Sequence, residues 1–156
     1  MIAVLRKELN KPSKKILFFI GAMLFCSCVP STIPVSYDDL AKYKGESEGV
    51  TIYVELRPGG NLILPGDRYI VYVYNQTENS IVFDYDNDEY HYYTINQVFK
   101  AHLFKVGGVY PRWVVPGQVA SIGILTDRKG LSISGFEVYL SKSDLKIFAG
   151  SIEKNN

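Results

Sequence analysis

Two hydrophobic patterns divide the chain. From Ile16 to Phe25 every residue is apolar or small, with no polar position between them. From Val50 the apolar residues alternate instead: Val50, Ile52, Val54 and Leu56 are set against Thr51, Tyr53, Glu55 and Arg57. A period of two places one set on each face of a β-strand. Further runs follow in the same manner. Leu62–Leu64 and Arg68–Asn75 flank the turn Pro65-Gly66-Asp67, and Tyr69–Tyr74 is apolar or aromatic on both faces, as in a covered central strand. Ile81–Tyr85, Tyr90–Ile95, Val98–Val106, Ala120–Ile124, Phe136–Leu140 and Leu145–Ile152 complete the set, with Gly, Pro, Asn and Asp between them. Short β-branched and aromatic runs at such spacing, with no convincing helix, predict an antiparallel all-β sandwich or barrel.

Composition fits a folded domain: hydrophobic residues make up 47% and aromatics 13%, chiefly tyrosine. The formal charge of +1 conceals an asymmetry. Residues 1–27 hold Arg6, Lys7, Lys11, Lys14 and Lys15 against Glu8 alone; the remainder has 12 basic and 15 acidic residues, a net of −3. An acidic domain lacks the electrostatic footprint of a nucleic-acid binder, and nucleic acid is excluded as a partner class.

The basic segment ends at Lys14-Lys15 and enters the apolar run directly, as in a secretory signal peptide. Ten apolar residues fall short of the roughly 20 that span a bilayer. Next come Cys26-Ser27-Cys28 and Val29-Pro30. This arrangement resembles the lipobox of bacterial lipoprotein precursors, where small residues precede the modified cysteine. Small Ser27 and Cys26 precede Cys28, whereas bulky Phe25 precedes Cys26, so cleavage before Cys28 is favoured and Cys26 is the alternative. Phe25 stands where the family usually has Leu. An uncleaved anchor and an ordinary secretory signal are the other readings of the segment. The resemblance implies lipid on Cys28 and an address in the bacterial envelope, on the periplasmic or surface face of a membrane, the outer membrane first. Two or more acyl chains suffice for stable attachment. Residues 28–49, with Pro30, Pro34 and the mixed-charge run Lys42–Glu48, read as a tether, and Asp38–Lys44 is long enough for one helical turn. The division is thus signal peptide 1–27, tether 28–49 and β-domain 50–156.

Two turns are alike, Leu64-Pro65-Gly66-Asp67 and Val115-Pro116-Gly117-Gln118. With Asn75-Gln76-Thr77 and Ile81-Val82-Phe83 they resemble bacterial immunoglobulin-like sandwiches, in which a Pro-Gly step leads into a strand and an Asn-x-Thr corner ends one. The likeness implies an immunoglobulin-like sandwich of about 7–9 strands, without the Cys-Trp-Cys core of antibody domains.

Candidate chemistry is sparse. Asp84, Asp86 and Asp88 alternate as calcium ligands do, but Glu89 and Ile95 occupy the positions where an EF-hand needs Gly and Glu. They are candidates for an improvised calcium site or a solvated turn; no other cofactor is implied. His91 and His102 fall in predicted strands without the ligand spacing of a metal site. Ser132 in Gly130–Gly135 lacks the glycine and the α/β setting of a nucleophile elbow. With no nucleophile, base and orienting group in sight, the expectation is a non-catalytic protein.

Seven tyrosines between Tyr69 and Tyr93 serve either sheet packing or a binding surface. Tyr85, Tyr90 and Tyr92 are the binding candidates among them, with Trp113, which reads as a core plug or an exposed anchor. The function expected is binding of another envelope macromolecule, a protein first, as an assembly or accessory component. Inhibition of a toxic or lytic enzyme, as an immunity lipoprotein would do, and glycan binding are the alternatives.

Overall fold

The computed structural model describes residues 37–57 and 65–153. The signal segment, Cys26 and Cys28, the tether up to residue 36 and the run Leu62–Leu64 lie outside them. Eleven strands are present among the described residues: β1 Tyr43–Ser47, β2 Val50–Arg57, β3 Arg68–Asn75, β4 Ile81–Val82, β5 Glu89–Thr94, β6 Val98–Lys100, β7 His102–Phe104, β8 Trp113–Val114, β9 Val119–Leu125, β10 Ile133–Leu140 and β11 Leu145–Ser151.

Nine of these strands join in one antiparallel sheet, in the order β6-β5-β10-β11-β1-β2-β3-β9-β7. The two outermost strands, β6 and β7, are consecutive in the chain and separated by Ala101 alone. The single run expected over Val98–Val106 therefore pairs first with β5, through Tyr92↔Phe99, and then with β9, through Leu103↔Ile124. This change of partner brings the two edges of the sheet together and makes it nearly a barrel. The all-β, antiparallel architecture is as expected, but the pairing joins the strands in one curled sheet where two packed sheets were expected.

Alternation explains the core. Ile52, Val71, Tyr92, Ile122, Val138 and Ile147, one from each of six strands, are almost wholly buried inside the curled sheet. Each such side chain contributes about 1.5–3 kcal/mol by leaving water. Near one end Phe136 packs between Tyr43 and Tyr69, with ring centroids 5.0 and 4.8 Å away, and Tyr43 donates a hydrogen bond to the Ile133 carbonyl at 3.0 Å.

The largest departure from expectation is β1. Residues placed in the tether by their charge lie between β2 and β11, near the middle of the sheet. Tyr43 is buried, and Gly45 sits where a Cβ would run into the Phe148 carbonyl oxygen, so a side chain there is excluded. Glu48 and Gly49, at φ 50° and 75°, make a two-residue turn between Ser47 and Val50. Positive φ at both positions is the geometry that right-twisted hairpins demand. The helical turn is Tyr37–Leu40, and the Tyr37 ring lies 5.6 Å from Tyr53 and 4.9 Å from Tyr72 on the outer wall. Among the described residues no helix is long and apolar enough to cross a membrane.

Candidate functional site

One end of the barrel is covered by a two-stranded ribbon of β4 and β8, with Ile81 opposite Val114 and Val82 opposite Trp113. Alternation again sorts the faces. Ile81 and Val114 turn inward and are buried, while Val82 and Trp113 turn outward. Trp113 is 60% exposed, with Val82 at 46% and Val115 at 42%. Three large apolar side chains thus lie exposed on one ribbon.

Asn75 fixes the ribbon to the barrel. Its side chain is wholly buried at the end of β3, and its Nδ2 donates to the Val114 carbonyl at 2.9 Å and the Asn79 carbonyl at 2.7 Å. Its Oδ1 accepts from the Thr77 backbone N–H at 2.9 Å and from the Thr77 hydroxyl at 2.7 Å. The Phe83 N–H donates to Arg112 O at 3.0 Å, and Gly117 N–H to Asn75 O at 2.7 Å, so the Pro116-Gly117 turn is tied to the same corner.

The acidic cluster beside the ribbon is engaged in holding its own loop. Asp88 is buried; one carboxylate oxygen accepts from Asp84 N–H at 2.8 Å, the other from the N–H and hydroxyl of Ser141, both at 2.8 Å. Asp84 accepts from Asn87 Nδ2 at 3.0 Å and faces Lys142 Nζ at 3.1 Å. The Asn87 hydrogen bond and then Lys142 hold its carboxyl below the usual carboxylate range. Asp86 is exposed. Among the described residues no three His, Cys, Asp or Glu side chains converge to hold a metal ion.

The candidate tyrosines face the interior more than a partner. Tyr90 and Tyr92 are inward residues of β5, at 2% and 0% exposure, which corrects the expectation that their rings could lie on a binding surface. Tyr85 is half-buried, donates to the Pro111 carbonyl at 2.7 Å and packs against Tyr110 at 4.8 Å. Burial pushes the hydroxyls of Tyr85 and Tyr90 up. Trp113 is thus the most exposed of the four candidates. The exposure of Val82 opposite it went unpredicted, although its place next to inward Ile81 was a usable signal.

At the other end of β3, seven residues and roughly 23 Å of strand away, a cleft of about 520 Å³ opens. Its lining includes the apolar Phe99, Ile95 and Leu131 and the polar Asn96, Gln97 and Arg128. Phe99 stacks on Tyr92 at 5.1 Å and 12°. Asp127, also in the lining, accepts from the Tyr92 hydroxyl at 3.0 Å and lies 2.9 Å from His102 Nε2. Burial holds the Tyr92 hydroxyl above its ordinary value, with the bond to the Asp127 carboxylate adding to that.

The two histidines do not come together. His91 faces Glu137 at 3.9 Å on the outer wall, whereas His102 pairs with Asp127. Ser132 lines the cleft but makes no hydrogen bond to His102, and Ser134 bonds the Tyr93 carbonyl. Asp127 and Arg128 were legible only as part of a turn; that they face a cleft depends on the closure of the barrel. Compared with protein-family models, curated proteins and solved structures, the chain matches none.

Proposed function

We propose that this chain is an exported envelope lipoprotein, held to a membrane by lipid on Cys28, that binds a protein partner through the ribbon of Val82, Trp113 and Val115 and catalyses no reaction. The observation that carries the reading is Trp113, the chain's one tryptophan, exposed at 60% beside two exposed valines. Tryptophan set among apolar neighbours is the usual anchor of a protein interface. The basic segment, the apolar run and Cys26-Ser27-Cys28 support the anchor. The likeness to immunoglobulin-like envelope domains belongs to the same proposal. It rests on the Pro116-Gly117 turn and the Asn75–Thr77 corner, and opposed walls of the curled sheet would take the part of the two layers.

A second reading, inhibition of a toxic or lytic enzyme, is favoured by exposed Asp86, on the loop between β4 and β5, and by exposed Glu89, the first residue of β5. Two surface substitutions test the interface. Trp113→Asp and Val82→Glu should each abolish co-purification of the partner from detergent-solubilised membranes while leaving the melting temperature within a few degrees of wild type. Undiminished recovery of the same partner with both variants would refute the ribbon as the binding surface, and loss only with Asp86→Asn and Glu89→Gln would favour the inhibitor reading.

A further inference from the structure

We propose that the cleft at the Asp127 end binds a short saccharide chain that carries an acidic sugar. The inference rests on the cleft alone and depends neither on the ribbon nor on the anchor.

A volume of about 520 Å³ lies within the range of small-ligand sites. The lining is of mixed character, as a sugar requires. One face of Phe99 rests on Tyr92, and the part of the residue left exposed joins Ile95 and Leu131 as an apolar wall for the C–H face of a sugar ring. The side chains of Asn96, Gln97, Ser132 and Arg128 line the same space, and none makes a hydrogen bond or ion pair with any described residue. Amides and hydroxyls offer donors and acceptors together, which matches the neighbouring hydroxyls of a saccharide.

Charge selects within that class. Arg128 brings an unpaired guanidinium, whose planar fork fits a carboxylate with two parallel hydrogen bonds. Asp127 stands next to it, already oriented by the Tyr92 hydroxyl and by His102, and offers a fixed acceptor to a sugar hydroxyl. A carboxylate at that position disfavours a doubly charged phosphate more than a singly charged acid. No glycine-rich phosphate loop is present in the sequence. A uronic acid, with one negative charge and several hydroxyls, satisfies both neighbours.

Calorimetric titration of the full chain in detergent with trigalacturonate, chitotriose and triglutamate tests this. Trigalacturonate should bind in the millimolar range or tighter, and more tightly than the neutral chitotriose. Arg128→Ala should weaken trigalacturonate by about tenfold, the size of a lost charge-assisted hydrogen bond, and leave chitotriose unaffected. Gln97→Ala, at an exposed loop position, should weaken both sugars with unchanged thermal unfolding. The proposal is overturned if neither sugar binds, if Arg128→Ala leaves trigalacturonate unaffected, or if triglutamate binds as tightly as trigalacturonate, which would make the cleft a site for acidic peptides.

Discussion

Replacing Asn75 with alanine removes the side chain that ties the exposed ribbon to the barrel. The contact to the Val114 carbonyl is buried, and a buried polar group left without its partner costs about 1–3 kcal/mol. The other three contacts, to the Asn79 carbonyl and to the N–H and hydroxyl of Thr77, are partly buried. Water can replace Asn75 there, so each loss costs roughly 0.5 kcal/mol. Together these give about 3 kcal/mol, and a melting temperature lowered by on the order of 10 °C for a domain of this size. The assay is urea and thermal unfolding by circular dichroism, with Trp113 fluorescence as a local reporter, since the chain has no other tryptophan. In Asn75→Ala the ribbon should loosen ahead of the barrel, so that acrylamide quenching of Trp113 rises at temperatures where the far-ultraviolet signal is still native. Thr77→Ala, which spares the Val114 contact, should cost about 1 kcal/mol or less. A loss below about 0.5 kcal/mol in Asn75→Ala, with unchanged quenching, would refute the view that this corner holds the ribbon.

Tyr90 presents a hydroxyl that is buried with no hydrogen-bond partner among the described residues. Tyr90→Phe should therefore be neutral or stabilising by up to about 1 kcal/mol in urea unfolding, and a clear destabilisation would reveal a partner. Burial raises the hydroxyls of Tyr69 and Tyr90 above their ordinary value. Both are neutral in either state below the unfolded value near 10, so their contribution is intact there. Above it the unfolded chain loses protons that the folded chain keeps, and stability should fall by about 1.4 kcal/mol per pH unit for each tyrosine. Absorbance at the tyrosinate band should rise together with unfolding; full ionisation of a chain still folded would contradict the burial. Labelled palmitate should enter the wild-type chain and fail to enter Cys28→Ala, whereas incorporation that persists there and stops in Cys26→Ala would move the anchor to Cys26.

Much of the fold is legible because a strand writes its two faces into alternate residues. Ile52 and Val54, and Val138 and Leu140, could be assigned inward from the sequence and are buried in the structure. Where that signal is absent, the reading fails. In β1 only Tyr43 fills the core, while Gly45 is present for a close backbone approach, so a central strand has the composition of a linker. Closure depends on Ala101, where the chain leaves β5 for β9, a pairing choice that no local pattern records. The same applies to the two candidate sites. Trp113 drew notice by its residue type, but only the ribbon's register shows that it points outward with Val82. The cleft joins Phe99 to Arg128 across the seam of the sheet, and two residues so far apart in sequence carry no shared local signal. The tyrosines misled because one side chain suits both a core and an interface; the period of β5 decides for the core at Tyr90 and Tyr92.

The ribbon of Val82 and Trp113 is the surface proposed to meet a protein partner in the envelope. A photo-crosslinking amino acid placed at position 113 in intact cells tests this most directly, with position 148, an exposed aromatic site on the barrel wall, as the control. Irradiation should give one discrete protein adduct from position 113, lost when Val82→Glu is added, and none from position 148. The same adducts from both positions, or none from position 113 in cells that hold the chain at its normal level, would contradict the account.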